Sequence, residues 1–184
     1  PLKPPETKRE DSMRTQHHKS FVVLLALAAG CWTNFNPCAS AEGIKVGDPL
    51  PNLAAANLEG KLPDTLKGKV VLLDFWASWC DPCKASFPAM VELQKEYGPR
   101  GLVIIAVNVD ENRSDMEDFL KSHAATFTVV HDAAQKLVAE AGIATMPSSF
   151  LVDQTGKVRF THAGFHGEET KKEYRQEIES LLGK

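Results

Sequence analysis

At 184 residues, 43% hydrophobic and 24% charged, the chain has room for one ordinary core plus leader or linker sequence, and not for two full cores. Its 21 basic and 24 acidic residues leave a formal charge of −3, so there is no basic excess to hold nucleic acid. No long Gly, Ser or Pro tract marks a disordered protein.

The first 41 residues read differently from the rest. Lys8, Arg9, Arg14 and Lys19 precede a short apolar run from Phe21 to Ala29. A spanning helix needs ~20 apolar residues, whereas a basic flank before a short apolar run is the pattern of a secretory signal. Ala39-Ser40-Ala41 then offers a small-x-small cleavage site before Glu42. A competing reading takes Leu27-Ala28-Ala29-Gly30-Cys31 as a bacterial lipoprotein box with its leucine one place early, which would make Cys31 a lipid anchor and 32–46 a tether. A buried N-terminal helix in a cytosolic protein is the third reading, and the aperiodic stretch from Asn34 to Val46 argues against it. The expected division is a leader with short linker over 1–41 and one domain over 42–184. Cleavage after Ala41 would remove Cys31 and Cys38 and leave Cys80 and Cys83 as the cysteines of an exported domain, where disulfides persist.

Within the domain, Gly47-Asp48-Pro49-Leu50-Pro51 predicts a turn, and Glu59-Gly60-Lys61 another. Lys69 to Phe75 reads as a strand, apolar on both faces except for Asp74, as in a central parallel strand covered by helices. Residues 81–97 read as a helix with Phe87, Met90, Val91 and Tyr97 on its apolar stripe, and with Pro88 kinking rather than ending it. Gly101 to Val109 is a second apolar strand, and 114–123 a short helix capped by Ser114. A strand from Phe127 to Val130 and a helix from Ala133 to Glu140, closed by Gly142, follow. Asp153-Gln154-Thr155-Gly156 joins strands Ser149–Val152 and Lys157–Thr161 as a hairpin, and Glu168 to Leu182 is an amphipathic helix with Tyr174, Ile178 and Leu182 on one face. This order predicts an α/β fold with a central mixed sheet flanked by helices.

Where the first strand runs into its helix stands Trp79-Cys80-Asp81-Pro82-Cys83. Two cysteines with that spacing serve a metal or a dithiol–disulfide cycle. A structural zinc site needs about four ligands, and His123, His131, His162 and His166 lack the spacing to complete one and look like surface or loop residues. No bound metal is expected. A redox pair has a direct physical account: at the first turn of a helix, unpaired N–H groups and the dipole stabilise a thiolate on Cys80. Pro82 is tolerated because the first turn needs no donor there. Cys83, one turn on, can then resolve a mixed disulfide formed by Cys80.

The segment Asp74-Phe75-Trp76-Ala77-Ser78-Trp79-Cys80-Asp81-Pro82-Cys83-Lys84, with Pro88 and with Thr145-Met146-Pro147, closely resembles the thioredoxin superfamily over roughly residues 46 to 183. Val46 to Pro51, Leu66 to Leu72 and an insertion around 113–131 bring it nearest to the exported TlpA/ResA type. The resemblance implies a thioredoxin-like fold with a TlpA/ResA-like insertion and an extracytoplasmic thiol–disulfide oxidoreductase, most simply a protein-disulfide reductase. It implies no cofactor beyond the Cys80–Cys83 disulfide. The implied partners are cysteine-containing proteins, such as those of cytochrome c maturation or copper-site assembly, and a membrane thiol electron donor. It further implies that Pro147 is cis, that Met146 offers backbone groups to an extended substrate, and that Asp74 is the buried acid exchanging Cys83's proton. Thioredoxin places a lysine on the strand beside this acid, and the matching position here is Ala106.

Several residues around the pair carry two readings. Asp74 is either that buried acid, its pKa raised by burial, or a strand-end carboxylate that reaches solvent. Asp81 opposes a thiolate on Cys80 by its charge, although the helix start suits the carboxylate itself. Lys84 either supports the thiolate or is a plain surface lysine. Trp76 reads as core packing and Trp79 as an exposed wall beside Cys80, suited to docking polypeptides. Two further functions remain open: a copper-binding chaperone or metal-site assembly factor using the same pair, and a peroxide reductase, although no Thr-x-x-Cys segment is present.

Overall fold

The structure, a computed structural model, describes residues 43–183. The expected leader, the cleavage site expected at Ala41 and the alternative anchor at Cys31 lie outside the described residues.

Five strands form one mixed sheet: β1 (Val70–Trp76), β2 (Leu102–Asn108), β3 (Thr128–His131), β4 (Ser148–Val152) and β5 (Val158–Ala163). Their spatial order is β3-β2-β1-β4-β5, with β1, β2 and β3 parallel and β4 and β5 antiparallel to their neighbours. β1 is central, and all seven of its residues are buried, as its uninterrupted apolar run requires. Among the described residues four α-helices accompany the sheet: α1 (Asp81–Tyr97), α2 (Arg113–Ser122), α3 (Lys136–Glu140) and α4 (Glu168–Leu182). Among the described residues no helix is long and apolar enough to cross a membrane.

Alternation along β1 decides what each face receives. Trp76 turns toward α1, its ring 4.7 Å from Phe87, and Phe119 of α2 packs at an angle against both, at 4.8 and 4.9 Å. Asp74, two residues earlier, therefore shares the face covered by α1. Helix α4 lies alongside α1, joined to it by Glu92–Lys171, Glu96–Arg175 and the Tyr97 hydroxyl donating to Glu179. Phe75 and Phe150 turn to the opposite face with their rings at 6.0 Å. Phe150 there lines a cavity with Ala141 and Gly142, just beyond α3.

The expected insertion becomes α2 and β3, a crossover that adds an edge strand beside β2. Helix α1 continues through Pro88, and Leu93 is fully buried along with Phe87, Met90 and Tyr97. Three expectations need correction. Helix α2 starts at Arg113 and not after Ser114; Asn112 stands at its cap position, but its amide donates to Asp115, so no side chain caps the helix. Helix α3 starts at Lys136 rather than Ala133, because the carboxylate of Asp132 accepts from the N–H groups of Lys136 at 3.1 Å and Val138 at 2.9 Å. His131 is a buried strand residue and not a surface one: its Nε2 lies 2.8 Å from the Asp110 carbonyl, and its Nδ1 lies 3.2 Å from Glu59.

Candidate active site

Cys80 stands at the N-cap of α1 with extended backbone, φ −91° and ψ 106°. Its sulfur accepts from the Cys83 N–H at 3.2 Å, so one of the helix's unpaired donors points at the atom that would carry thiolate charge. Asp81 and Pro82 occupy the first turn, where proline removes no needed hydrogen bond. Cys80 and Cys83 are joined as a disulfide, with Cα atoms 5.2 Å apart. The two sulfurs are not equivalent: Cys80 keeps 5% of its surface exposed, and Cys83 none. Attack from outside can reach only Cys80.

Cys80 opens onto a cavity of about 400 Å³ lined by Trp79, Pro82, Ile143, Ala144, Thr145 and Met146. Trp79 is 68% exposed and forms its outer wall, whereas Trp76 is fully buried, so the two tryptophans divide as the sequence reading expects. The Met146–Pro147 bond is cis. Pro147 is buried, and its carbonyl accepts from the Gly164 N–H at 2.7 Å, anchoring the loop whose Met146 reaches the cavity.

Lys84 is committed to Asp81, its Nζ 2.8 Å from the carboxylate. Of its two readings, support for the thiolate would run through Asp81. Hydrogen bonding from Lys84 and its charge hold Asp81 below the usual carboxylate range. A fixed negative charge thus sits one residue from Cys80, with a cation beside it.

Asp74 is 1% exposed, which excludes the strand-end alternative. Burial pushes its carboxyl up to about 7, and donation from the Ser149 hydroxyl to Oδ1 at 2.6 Å opposes part of that rise. Oδ2 is buried with no hydrogen-bond partner. The register places Ala106 on β2 beside Asp74, as the sequence comparison expects, so the neighbouring strand supplies no cation at that position. On the other side β4 places Ser149 directly opposite.

The turn carrying Trp79 and Cys80 is held from below by residues that sequence reasoning missed. Both oxygens of Asp110 accept from the Ser78 N–H at 3.1 Å, and Asn108 donates to the same carboxylate at 2.8 Å. His131 holds the Asp110 carbonyl, and Glu59 bridges His131 to Arg113 at the start of α2. The signal was Asn108 and Asp110 at the end of an otherwise apolar strand. Ser149, in the apolar run of β4, gave the corresponding signal for Asp74. Among the described residues no group of three or more His, Cys, Asp or Glu could hold a metal ion. His123 stacks on Phe119, and His162 is bound to Glu177.

A mixed sheet with a disulfide at the N-terminus of the helix after its central strand, beside a loop with a cis proline, defines a thioredoxin-fold redox protein. The model of the Redoxin family matches residues 45–178, and the chain belongs to that family as a ResA-like thiol–disulfide oxidoreductase. It is 40% identical over 123 residues to the thiol-disulfide oxidoreductase ResA of Bacillus thuringiensis (strain Al Hakam), covering 65% of this chain and 70% of that one. A solved structure described as a DsbE-type thiol:disulfide interchange protein from Chlorobium tepidum is 39% identical, with a TM-score of 0.71, covering 77% of this chain and all of that one. The pneumococcal exposed lipoprotein thioredoxin of Streptococcus pneumoniae is 31% identical with a TM-score of 0.58, covering 67% of this chain and 97% of its own.

Proposed function

We propose that the protein is an exported protein-disulfide reductase in which Cys80 is the nucleophile, Cys83 the resolving thiol and Asp74 the acid that exchanges Cys83's proton. The observation that carries this reading is the asymmetry of the pair: Cys80 has an exposed edge on the cavity of Trp79 and Met146, and Cys83 is sealed behind it on the face that also holds Asp74.

In the reduced protein the Cys80 thiolate attacks one sulfur of a substrate disulfide. An S–S bond forms between them, and the other substrate sulfur leaves as a thiolate that takes a proton from solvent. Asp74, as carboxylate, accepts the proton of Cys83. The resulting thiolate attacks the Cys80 sulfur, closing the Cys80–Cys83 disulfide and expelling the second substrate thiolate. Two electrons have passed to the substrate, and a thiol donor must return them before the next cycle. The substrate chain lies along Met146, whose backbone groups it engages, with Trp79 covering the mixed disulfide.

Export rests on the basic-then-apolar leader and on similarity to the pneumococcal exposed lipoprotein thioredoxin. The chain is freed by cleavage after Ala41 or held through lipid on Cys31, in a periplasmic or other extracytoplasmic space. There its electrons come from a membrane thiol relay, and its substrates are oxidised cysteine pairs of apocytochrome c or of copper-site proteins. The similarity to ResA and to a DsbE-type interchange protein supports thiol–disulfide exchange as the chemistry.

The test is a mixed-disulfide trap. Cys83→Ser, expressed with its leader in an extracytoplasmic compartment, should accumulate covalent adducts on Cys80, and Cys80→Ser should accumulate none. Wild type supplied with a dithiol should reduce insulin and a two-cysteine haem-motif peptide, with a potential near about −270 mV rather than about −120 mV. Absence of adducts, or a strongly oxidising potential, would reject the reading.

A further inference from the structure

Three buried polar side chains stand in a row beneath α4, and the reaction described above uses only one of them. The Tyr174 hydroxyl lies 2.7 Å from Ser149 Oγ, which in turn lies 2.6 Å from Asp74 Oδ1. All three residues are at most 2% exposed. Their alignment follows from the register: Asp74 pairs with Ser149 across β1 and β4, so the two side chains project side by side on the face that α4 covers, and α4 lowers Tyr174 onto the serine.

Donor counting gives the row a direction. A hydroxyl has one proton to donate. Ser149 gives its proton to Asp74, so the contact between Ser149 and Tyr174 is made by the tyrosine donating to the serine. Both protons therefore run toward Oδ1, and an oxygen that accepts this donation is a poor place for the carboxyl's own proton. Oδ2, buried without a partner, is the atom left to carry it.

We infer that Ser149 and Tyr174 are positioning residues for the dithiol chemistry, reserving Oδ1 as acceptor and fixing Oδ2 as the atom through which Asp74 exchanges its proton. The inference rests on the reading of Asp74 as the acid serving Cys83. The hydroxyl row takes the place of a charge: Ala106 faces Asp74 from β2, so the neighbouring strand offers no cation there, and the polar support comes from β4 and α4 instead.

The ionisable groups around the row are few. Tyr174 comes from α4, and its own titration is pushed well above the usual tyrosine range, first by burial and then by the charge of Asp74. His162 of β5 pairs in register with Ser149, its ring 4.8 Å from Tyr174. Glu177 lies 2.7 Å and Glu173 3.6 Å from that histidine. From α1 come Cys80 and Cys83, which do not titrate while joined.

The test is a carboxyl ¹³C titration of Asp74 in the oxidised full chain, with Asp74→Asn identifying the resonance. Donation to the carboxylate favours the charged form, so its loss must raise the midpoint. Ser149→Ala should move the midpoint up by about one pH unit, a tenfold gain in proton affinity. Tyr174→Phe should move it the same way by less, and Ser149→Thr, which keeps the hydroxyl, should hold it near wild type. In the reduced protein, the pH profile for resolving a preformed Cys80 mixed disulfide should shift with the carboxyl. An unmoved carboxyl midpoint in Ser149→Ala, or an equal shift in His162→Gln, overturns the inference even if the wild type reduces disulfides. A carboxyl that moves while the resolution profile stays put removes Asp74 from the cysteine chemistry, and the positioning role with it. Failure of the wild type to turn over with any thiol donor would reject the reductase reading instead, and the carboxyl titration would still report on the row.

Discussion

The raised pKa of Asp74 makes a prediction about folding that needs no substrate. In the unfolded chain this carboxyl ionises near 3.8, and in the native protein near about 7. Between those values the native state holds a proton that the unfolded state has released, so stability falls as pH rises. The loss begins near pH 3.8, accumulates through about pH 7, and levels off above it. At 1.36 kcal/mol per pH unit, that interval corresponds to about 4 kcal/mol. Asp74→Asn removes the ionisation and keeps an oxygen to accept from Ser149. Urea unfolding of wild type and variant from pH 4 to pH 8.5, with the disulfide intact so that no thiol titrates, should therefore show the variant gaining on the wild type by about 4 kcal/mol across the range. The neutral amide adds a pH-independent offset, because its nitrogen sits where Oδ2 has no partner, so the slope carries the test. A stability difference that stays flat between pH 4 and pH 8 would refute the argument and return Asp74 to ordinary ionisation.

Trp79→Ala should leave stability within about 0.5 kcal/mol, as a change at an exposed side chain does, while slowing reduction of a protein disulfide far more than of a small aliphatic disulfide; equal losses on both would show that Trp79 is no docking wall. Asp110→Ala orphans the Ser78 N–H and the Asn108 amide, and each buried unpaired group costs about 1–3 kcal/mol, so denaturant unfolding should reveal a clear loss together with slower exchange at Cys80. Unchanged unfolding there would mean that water replaces the carboxylate. Lys84→Met leaves Asp81 uncompensated and should raise the pH at which Cys80 reacts with iodoacetamide, whereas Asp81→Asn should lower it. A rise on Lys84→Met that persists in the Asp81→Asn background would show that Lys84 acts directly on the sulfur.

The elements legible in the sequence are those whose pattern is local. Helix α1 carries its own start signal in a cysteine cap and Pro82, and helix α4 reads from Glu168 to Leu182 because its apolar stripe is continuous. The division of Trp76 from Trp79 also follows locally, from the end of strand alternation at the turn. What the sequence hides is set by strand register. Ser149 is one polar residue in an apolar run until β4 pairs with β1 and brings its hydroxyl to Asp74. Tyr174 reads as one more apolar position on a helix face, and only packing shows its hydroxyl ending on that serine. His131 reads as a loop residue because its partners, Glu59 and Asp110, are 72 and 21 residues away. The late start of α3 has a nearer cause: Ala133 and Ala134 favour helix, but the carboxylate of Asp132 reaches past them to the N–H groups of Lys136 and Val138.

The charges around the cysteine pair separate by depth, and that separation indicates where its chemistry is tuned. Outside, Asp81 and Lys84 form an exposed pair whose field is screened by water and salt, so its effect on Cys80 is modest. Opposing it, the N-terminus of α1 directs the Cys83 N–H at the Cys80 sulfur, favouring a thiolate on the cysteine that outside groups can reach. Inside, Asp74 is sheltered from solvent and held by two hydroxyls rather than a cation, so its proton affinity depends on burial and hydrogen-bond direction. On the proposed roles, Cys80 is adjusted by groups that ionic strength can weaken, and Cys83 through groups that it cannot. Salt should therefore alter capture at Cys80 more than resolution by Cys83, because a surface charge pair and a buried hydroxyl row respond differently to the same screening.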